Sequence, residues 1–149
     1  MFSEKCFSYV NTIATLNQSD NYFLLYKSNH ESPIGYITLQ NFHPTLNRCD
    51  LIFFIDSKFE KLGYCTLMIR EIIIICFEKL NLEKIIAKVI PSNKAAKNIL
   101  EKVNFLKEAT FCNEILTYKN ELKDIELYGL ISEDFDIDFD NSPNKTFSI

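Results

Sequence analysis

The sequence predicts one mixed α/β (α+β) domain whose sheet is partly parallel and mostly antiparallel. Strand-like segments come first, at 22–26, 34–39 and 51–55. A central β-α-β-α unit then runs from 51 to 103, and two further strands joined by a polar turn close the pattern. No internal repeat and no linker rich in Gly, Ser or Pro divides the chain.

Taken in order, residues 5–16 read as a short amphipathic helix, with Phe7, Val10, Ile13, Ala14 and Leu16 near one side. Turns at 17–21 and 28–33 flank a strand at 22–26. The strand at 34–39 carries Gly35, a position that suits a bulge or a close approach. A polar loop, 41–48, leads to the apolar strand 51–55. Residues 64–80 form the strongest helix pattern, free of Gly and Pro and apolar at Leu67, Met68, Ile72, Ile75 and Cys76. Ile85–Ile90 alternates too little to be exposed on either face, so it reads as a buried strand that Pro91 ends. Ser92 or Asn93 caps a helix over 94–103. Strands near 111–118 and 125–131 follow, joined by the turn 119–123. The domain is taken to run from 1 to 131, with 132–149 as an acidic C-terminal strand or tail. Its Asp134, Asp136 and Asp138 have a calcium-loop spacing, but Phe139 stands where that loop needs Gly.

Composition narrows the functional classes. A net charge of −4 argues against a nucleic-acid partner, which requires a basic surface. The greasiest run, Ile72–Phe77, is far short of the roughly 20 residues of a membrane span, and the N-terminus lacks a signal-like apolar core. Neither a membrane partner nor secretion is therefore expected. Five cysteines without C-x-x-C spacing suggest reduced thiols in a cytoplasmic setting, and two distant histidines give no metal site.

The chemistry concentrates between 51 and 105. A buried strand, the loop 56–63 and a helix from Tyr64 make an anion site, because a helix N-terminus presents unpaired N–H groups and partial positive charge. Gly63 lets backbone approach a phosphate, Lys58 and Lys61 add positive charge, and Thr66 offers a hydroxyl. The same residues also read as a plain strand–turn–helix with solvated lysines.

The loop Lys58-Phe59-Glu60-Lys61-Leu62-Gly63-Tyr64-Cys65-Thr66 resembles the acetyl-CoA loop of the GNAT acetyltransferases. That loop runs Gln or Arg, two residues, Gly, one residue, then Gly or Ala, before a helix. Asn93-x-x-Ala96-x-x-x-Leu100-Glu101-Lys102-x-Asn104-Phe105 resembles the second GNAT signature. Ile34-Gly35-Tyr36-Ile37 and Asp124-x-x-x-Tyr128 are similar to strands of the Rim-type branch, which acetylates ribosomal-protein N-termini. The resemblance covers roughly residues 5–131. Departures are Lys58 for Gln or Arg, Lys61 for the first loop glycine, and Asn104 for the glycine before Phe105. Lys61 either pairs with a pyrophosphate or obstructs it. The family usually has an extra strand and helix near the start, so a GNAT-like domain here is expected to be N-terminally shortened.

The resemblance implies acetyl-CoA as cosubstrate and transfer of acetyl to an amine, either a protein N-terminus or a small molecule. It implies pantetheine between strands 51–55 and 85–90, with a backbone N–H near Phe53, Phe54 and Ile55 polarising the thioester. Loop residues Lys58–Thr66 would hold the pyrophosphate, Asn93 would flank the pantetheine, and Lys102 would reach a phosphate. Asp50 stands where Rim-type relatives carry a Glu and is the candidate base, or else a solvated strand-edge acid. Many relatives protonate the thiolate with a helix Tyr; Leu100 is there instead, leaving Tyr128 or Tyr118 as substitutes or as half-buried strand tyrosines. A homodimer is one assembly the resemblance allows, and a non-catalytic CoA- or protein-binding module is the alternative reading.

Overall fold

A computed structural model describes residues 8–12, 21–27 and 30–135 of the chain. Among these residues seven strands form one sheet: β1 (Ser8–Thr12), β2 (Asn21–Tyr26), β3 (Gly35–His43), β4 (Arg48–Ile55), β5 (Lys84–Val89), β6 (Leu106–Leu116) and β7 (Leu122–Ile131). Two helices, α1 (Tyr64–Ile74) and α2 (Lys94–Lys102), follow β4 and β5. The strand order is β1-β2-β3-β4-β5-β7-β6, and every pairing is antiparallel except β4 with β5. The expected mixed, mostly antiparallel architecture is present.

The core lies on one sheet face. Phe23, Leu25, Ile37, Leu39, Cys49, Leu51, Ile85, Ala87, Tyr128 and Leu130 are buried, and the register places them all on the same side. α1 closes that side by burying Met68, Ile69, Ile72 and Ile73 against β3 and β4. Full burial of such a side chain stabilises by roughly 1.5–3 kcal/mol. After Ile74 the helix widens into one π-type turn, Ile75–Lys79, so the helical run read over 64–80 is regular only to 74.

α2 begins with Asn93, whose side-chain oxygen accepts from the Ala96 N–H at 3.1 Å. It ends in a left-handed residue, Asn104 (φ 68°), with Phe105 N–H donating to Leu100 O and Asn104 N–H to Glu101 O. Phe105 and Leu100 are both fully buried, which fastens the helix end to the core. Asn thus does at 104 what the family's glycine does.

One sequence reading is overturned. Residues 8–12 are not helical but form β1, paired antiparallel with β2 from Ser8↔Tyr26 to Thr12↔Tyr22. Tyr9, Val10 and Thr12 suit a strand, and a neighbouring edge with open hydrogen-bonding groups decides the matter over a helix-like spacing. The rest of that predicted helix, 5–7 and 13–16, lies outside the described residues. β1 supplies the early strand thought to be missing, and only residues 13–20 separate it from β2. Strand limits moved outward elsewhere: β3 runs through the predicted loop to His43, and β6 starts at Leu106 rather than 111.

Beyond β7, Ser132 donates its N–H to Glu83 O, and Phe135 packs on Phe77 with ring centroids 5.5 Å apart. The aspartate-rich segment from 136 onward lies outside the described residues. Among the described residues no helix is long and apolar enough to cross a membrane.

Candidate functional site

β4 and β5 part company halfway. Their parallel ladder has three rungs, Arg48↔Lys84, Cys49↔Ile85 and Asp50↔Ile86. Above Asp50, residues 51–55 and 87–89 carry no rung between them, while β4 stays paired with β3 up to Gly35↔Ile55 and β5 with β7 up to Val89↔Glu126. Each strand is held from its outer side, so a slot opens between them. Backbone groups lining it are available to a strand-like ligand.

Gly35 helps to hold β4 in place. A Cβ there would stand 2.6 Å from the Phe54 carbonyl oxygen, so only glycine lets β3 and β4 approach this closely. Side chains of β4 alternate across the sheet: Phe53 and Ile55 pack towards the core, whereas Phe54 is 51% exposed on the outer face. There it stacks on Tyr36 with centroids 5.4 Å apart.

The loop after β4 is a built turn. Asp56 caps a short 3-10 turn, Ser57–Phe59, by accepting from the Lys58 N–H at 2.9 Å. Phe59 anchors it, edge-on to Tyr64 and to His30 at 6.2 and 5.2 Å, with the Lys27 ammonium 6.0 Å from its ring. Lys61 has φ 60° and Gly63 φ 81°, both left-handed. Lys61 therefore adopts the backbone of the glycine it replaces, at a cost of roughly 1–2 kcal/mol for a side-chain-bearing residue. Leu62 is exposed between them. Gly63 is the N-cap of α1, so that helix starts without a side-chain cap.

Within α1, Tyr64 and Cys65 are buried and Thr66 is half-buried. Cys65 belongs to the core cluster, and its burial, reinforced by Glu60, pushes the thiol up to about 12. Asn93 sits at the start of α2, just past the end of β5. The structure thus gathers 53–55, the loop 58–66 and Asn93 at the C-terminal ends of the two parting strands. Lys102 is not among them: it occupies the last turn of α2, about 13 Å along the helix from Asn93.

Asp50 lies at the vertex of the slot on the outer face. Its Oδ2 accepts from the Lys88 ammonium at 3.0 Å and from Asn41 Nδ2 at 3.0 Å. Asn41 is aimed there by an irregularity in β3 between Gln40 and His43, where it takes φ 54°. Tyr128, the proposed acid, is on the opposite face because it pairs with Ala87. It is 1% exposed, and its hydroxyl donates towards Glu126 at 3.5 Å. Burial, with Glu126 next, raises its pKa. Asp50 and Tyr128 are therefore separated by the sheet. Tyr118, the other tyrosine considered, is 92% exposed near the β6–β7 turn.

Three groups at this site escaped the sequence reading: Lys27, His30 and Lys88. No local pattern marks them: Lys27 and His30 lie in the β2–β3 connection and Lys88 on β5, and each meets its partner only through the fold.

A family model described as an acetyltransferase (GNAT) domain matches residues 3–106. The chain belongs to that family. No curated protein sequence matches this GNAT chain significantly. Among solved structures, the ribosomal-protein-S5-alanine acetyltransferase of Vibrio fischeri superposes with a TM-score of 0.73 at 22% identity, covering 78% of this chain and 64% of that one. RimJ of Mycobacterium smegmatis, solved with CoA-disulfide, gives 0.72 at 21% identity, covering 77% and 54%. A spermidine/spermine N-acetyltransferase, SpeG of Vibrio cholerae, gives 0.74 at 17% identity, covering 81% and 72%. The chain spans less than two thirds of the first two proteins. At these identities the likeness is one of fold.

Proposed function

We propose that this GNAT domain is an N-acetyltransferase that passes acetyl from acetyl-CoA directly to an amine, a protein N-terminus or a small molecule. The observation that carries the reading is the end of the β4–β5 ladder at Asp50↔Ile86, directly below a loop that leads into a helix without a side-chain cap. The slot suits the amide-bearing pantetheine arm, which pairs with backbone as an added strand. N–H groups at the start of α1, with Lys58 and Lys61 on the loop, suit the pyrophosphate. Lys27, with its ammonium 6.0 Å from the Phe59 ring, adds positive charge beside the same loop. A backbone N–H near Phe53–Ile55 polarises the thioester carbonyl and stabilises the charge that develops on its oxygen.

Asp50 receives the proton of the incoming amine. It stands at the vertex, on the outer face and clear of the helices, so the acceptor approaches from that side. The outward residues of β2–β4 there include Tyr22, Tyr36, Ile52 and Phe54, all partly exposed, with Asp50 as their acid. One carboxylate beside an apolar and aromatic surface suits a monoamine, such as a peptide N-terminus, better than a polyamine. Tyr128 remains the acid candidate from the sequence, but its buried hydroxyl favours a packing role; the thiolate is then protonated by water.

A non-catalytic, CoA-binding module is the second reading. Leu100, fully buried, occupies the position of the family's helix tyrosine, and that observation favours it. Release of CoA thiol from acetyl-CoA across a panel of peptides and small amines separates the two. Thiol release above background with at least one acceptor supports the enzyme; binding of acetyl-CoA with no release supports the module.

A further inference from the structure

The outer face at the slot's vertex already holds an amine, and it belongs to the chain itself. Lys88 lies two residues past Ile86, the last rung of the β4–β5 ladder, so its Cα stands about 7 Å further along β5, beside the open slot. Residues 86 and 88 share the outer face, and the Lys88 ammonium turns back to Asp50 at 3.0 Å. Its side chain is 52% exposed while that of Asp50 is 16% exposed. The other ion-paired lysines among the described residues are placed differently. Lys97 and Lys107 are tied to Glu126 on the opposite, helix-bearing face of the sheet, Lys84 to Glu108 at the foot of the ladder, and Lys123 to Glu121 near the hairpin turn. Lys88 alone among them flanks the unpaired part of the slot and touches the proposed base.

We propose that Lys88 is an acetylation site of this chain, modified in cis by acetyl-CoA bound in the slot, with Asp50 taking the proton. The inference rests on the acetyl-CoA site proposed above. The Lys88 ammonium passes one proton through Asp50 to water, and the freed nitrogen lone pair forms a C–N bond to the thioester carbonyl carbon. The C–S bond breaks, sulfur leaves with the electron pair, and the second proton lost by the nitrogen passes through water to the thiolate. One ammonium and one thioester thus become one amide, one thiol and one released proton. A tethered nucleophile gains from proximity, which compensates for the small fraction of lysine that is neutral near pH 7. The product has a local consequence. An acetylated Lys88 carries no charge, so the ion pair with Asp50 is lost, and that carboxylate is released to an incoming ammonium. The modification converts a self-paired acceptor site into an open one.

The test incubates the full chain with acetyl-CoA alone and follows intact mass and peptide maps, with acetyl-CoA binding measured calorimetrically in parallel. The expected result is one acetyl group per chain on Lys88, at an initial rate roughly tenfold or more above exposed lysines such as Lys119. That signal disappears in Lys88→Arg, which keeps the charge, and falls strongly in Asp50→Asn, while both variants still bind acetyl-CoA. The rate constant stays unchanged on diluting the protein; a rate constant rising with protein concentration overturns transfer in cis. Acetylation spread evenly over exposed lysines, equal rates in Asp50→Asn, or binding of acetyl-CoA with Lys88 unmodified each overturn the inference and leave the proposed function standing. Absence of acetyl-CoA binding overturns the proposed function, and the inference falls with it.

Discussion

Asp50 and Lys88 form an ion pair, with 3.0 Å between Oδ2 and Nζ, across the point where β4 and β5 separate. Thirty-eight positions apart in sequence, they meet only because the parallel ladder reaches Asp50↔Ile86 and stops. If Asp50 takes the proton of an incoming amine, Asp50→Asn lowers turnover most where the amine is still charged. An α-amino group titrates near 8. The deficit relative to wild type is therefore larger near about pH 6.5 than near about pH 9, as a pH–rate profile of both proteins checks. A constant ratio across that range removes Asp50 from proton transfer.

Lys61 separates conformation from charge. Its left-handed backbone (φ 60°) suits glycine, so Lys61→Gly relieves strain but gives the unfolded chain more freedom. Stability in urea changes by less than about 1 kcal/mol. Lys61→Glu places negative charge at the start of α1 and weakens acetyl-CoA binding more than Lys61→Gly does. Equal affinity in wild type and Lys61→Glu takes Lys61 out of the phosphate site.

Gly35→Ala drives a Cβ against the Phe54 carbonyl, a backbone atom that cannot rotate away. Overpacking of this kind costs about 1–3 kcal/mol. A melting curve shows the loss. Because β3 fixes β4 beside the slot, affinity for acetyl-CoA drops as well.

Glu126 is buried beneath α2 and held by Lys107 at 2.7 Å and Lys97 at 2.9 Å. Hydrogen bonds from Lys107, then Lys97, keep its pKa below the usual carboxylate range. The folded state therefore binds that proton more weakly than the unfolded chain. This stability is complete above the unfolded value of about 4.3 and is lost as pH falls below it. Glu126→Gln flattens the acid limb of the stability–pH curve, measured by denaturant titration between about pH 3 and pH 6. An unchanged acid limb would mean that Glu126 gives no pH-dependent support.

Thiol chemistry offers an independent check on the core. Burial holds Cys65 at about 12, and Cys76 is raised too, by hydrogen bonding with Cys49 and by burial. Of the four cysteines in the described residues, only Cys112 is exposed. Among these four, iodoacetamide at neutral pH alkylates Cys112 first, with Cys49, Cys65 and Cys76 reacting only on unfolding. Early labelling of Cys65 contradicts its burial in α1.

Much of the fold was legible because local signals agreed with tertiary demands. The apolar runs at 51–55 and 85–90, Pro91, the Asn93 cap and the absence of breakers in 64–74 each have one good structural solution. The errors fell where a neighbour decides. Residues 8–12 have a helical spacing but take up the free edge of β2, and Leu106–Thr110 has weak strand propensity yet pairs with β7. Within the candidate site, the strand–turn–helix around Gly63 and the Asn93 cap could be read from the residues, whereas their roles toward a cofactor came only from the resemblance. Lys88 and Lys27 could not, since their meaning lies in partners on other strands. The outward turn of Phe54 and the inward turn of Tyr128 depend on register, which the sequence leaves open to a slip of one residue.

The central claim is that the parted strands and the α1 N-terminus bind acetyl-CoA. Calorimetric titration of the full chain with acetyl-CoA tests it most directly. The expected result is saturable binding at one site per chain, weakened in Lys61→Glu. Neither heat nor a shift in melting temperature at millimolar acetyl-CoA would contradict it.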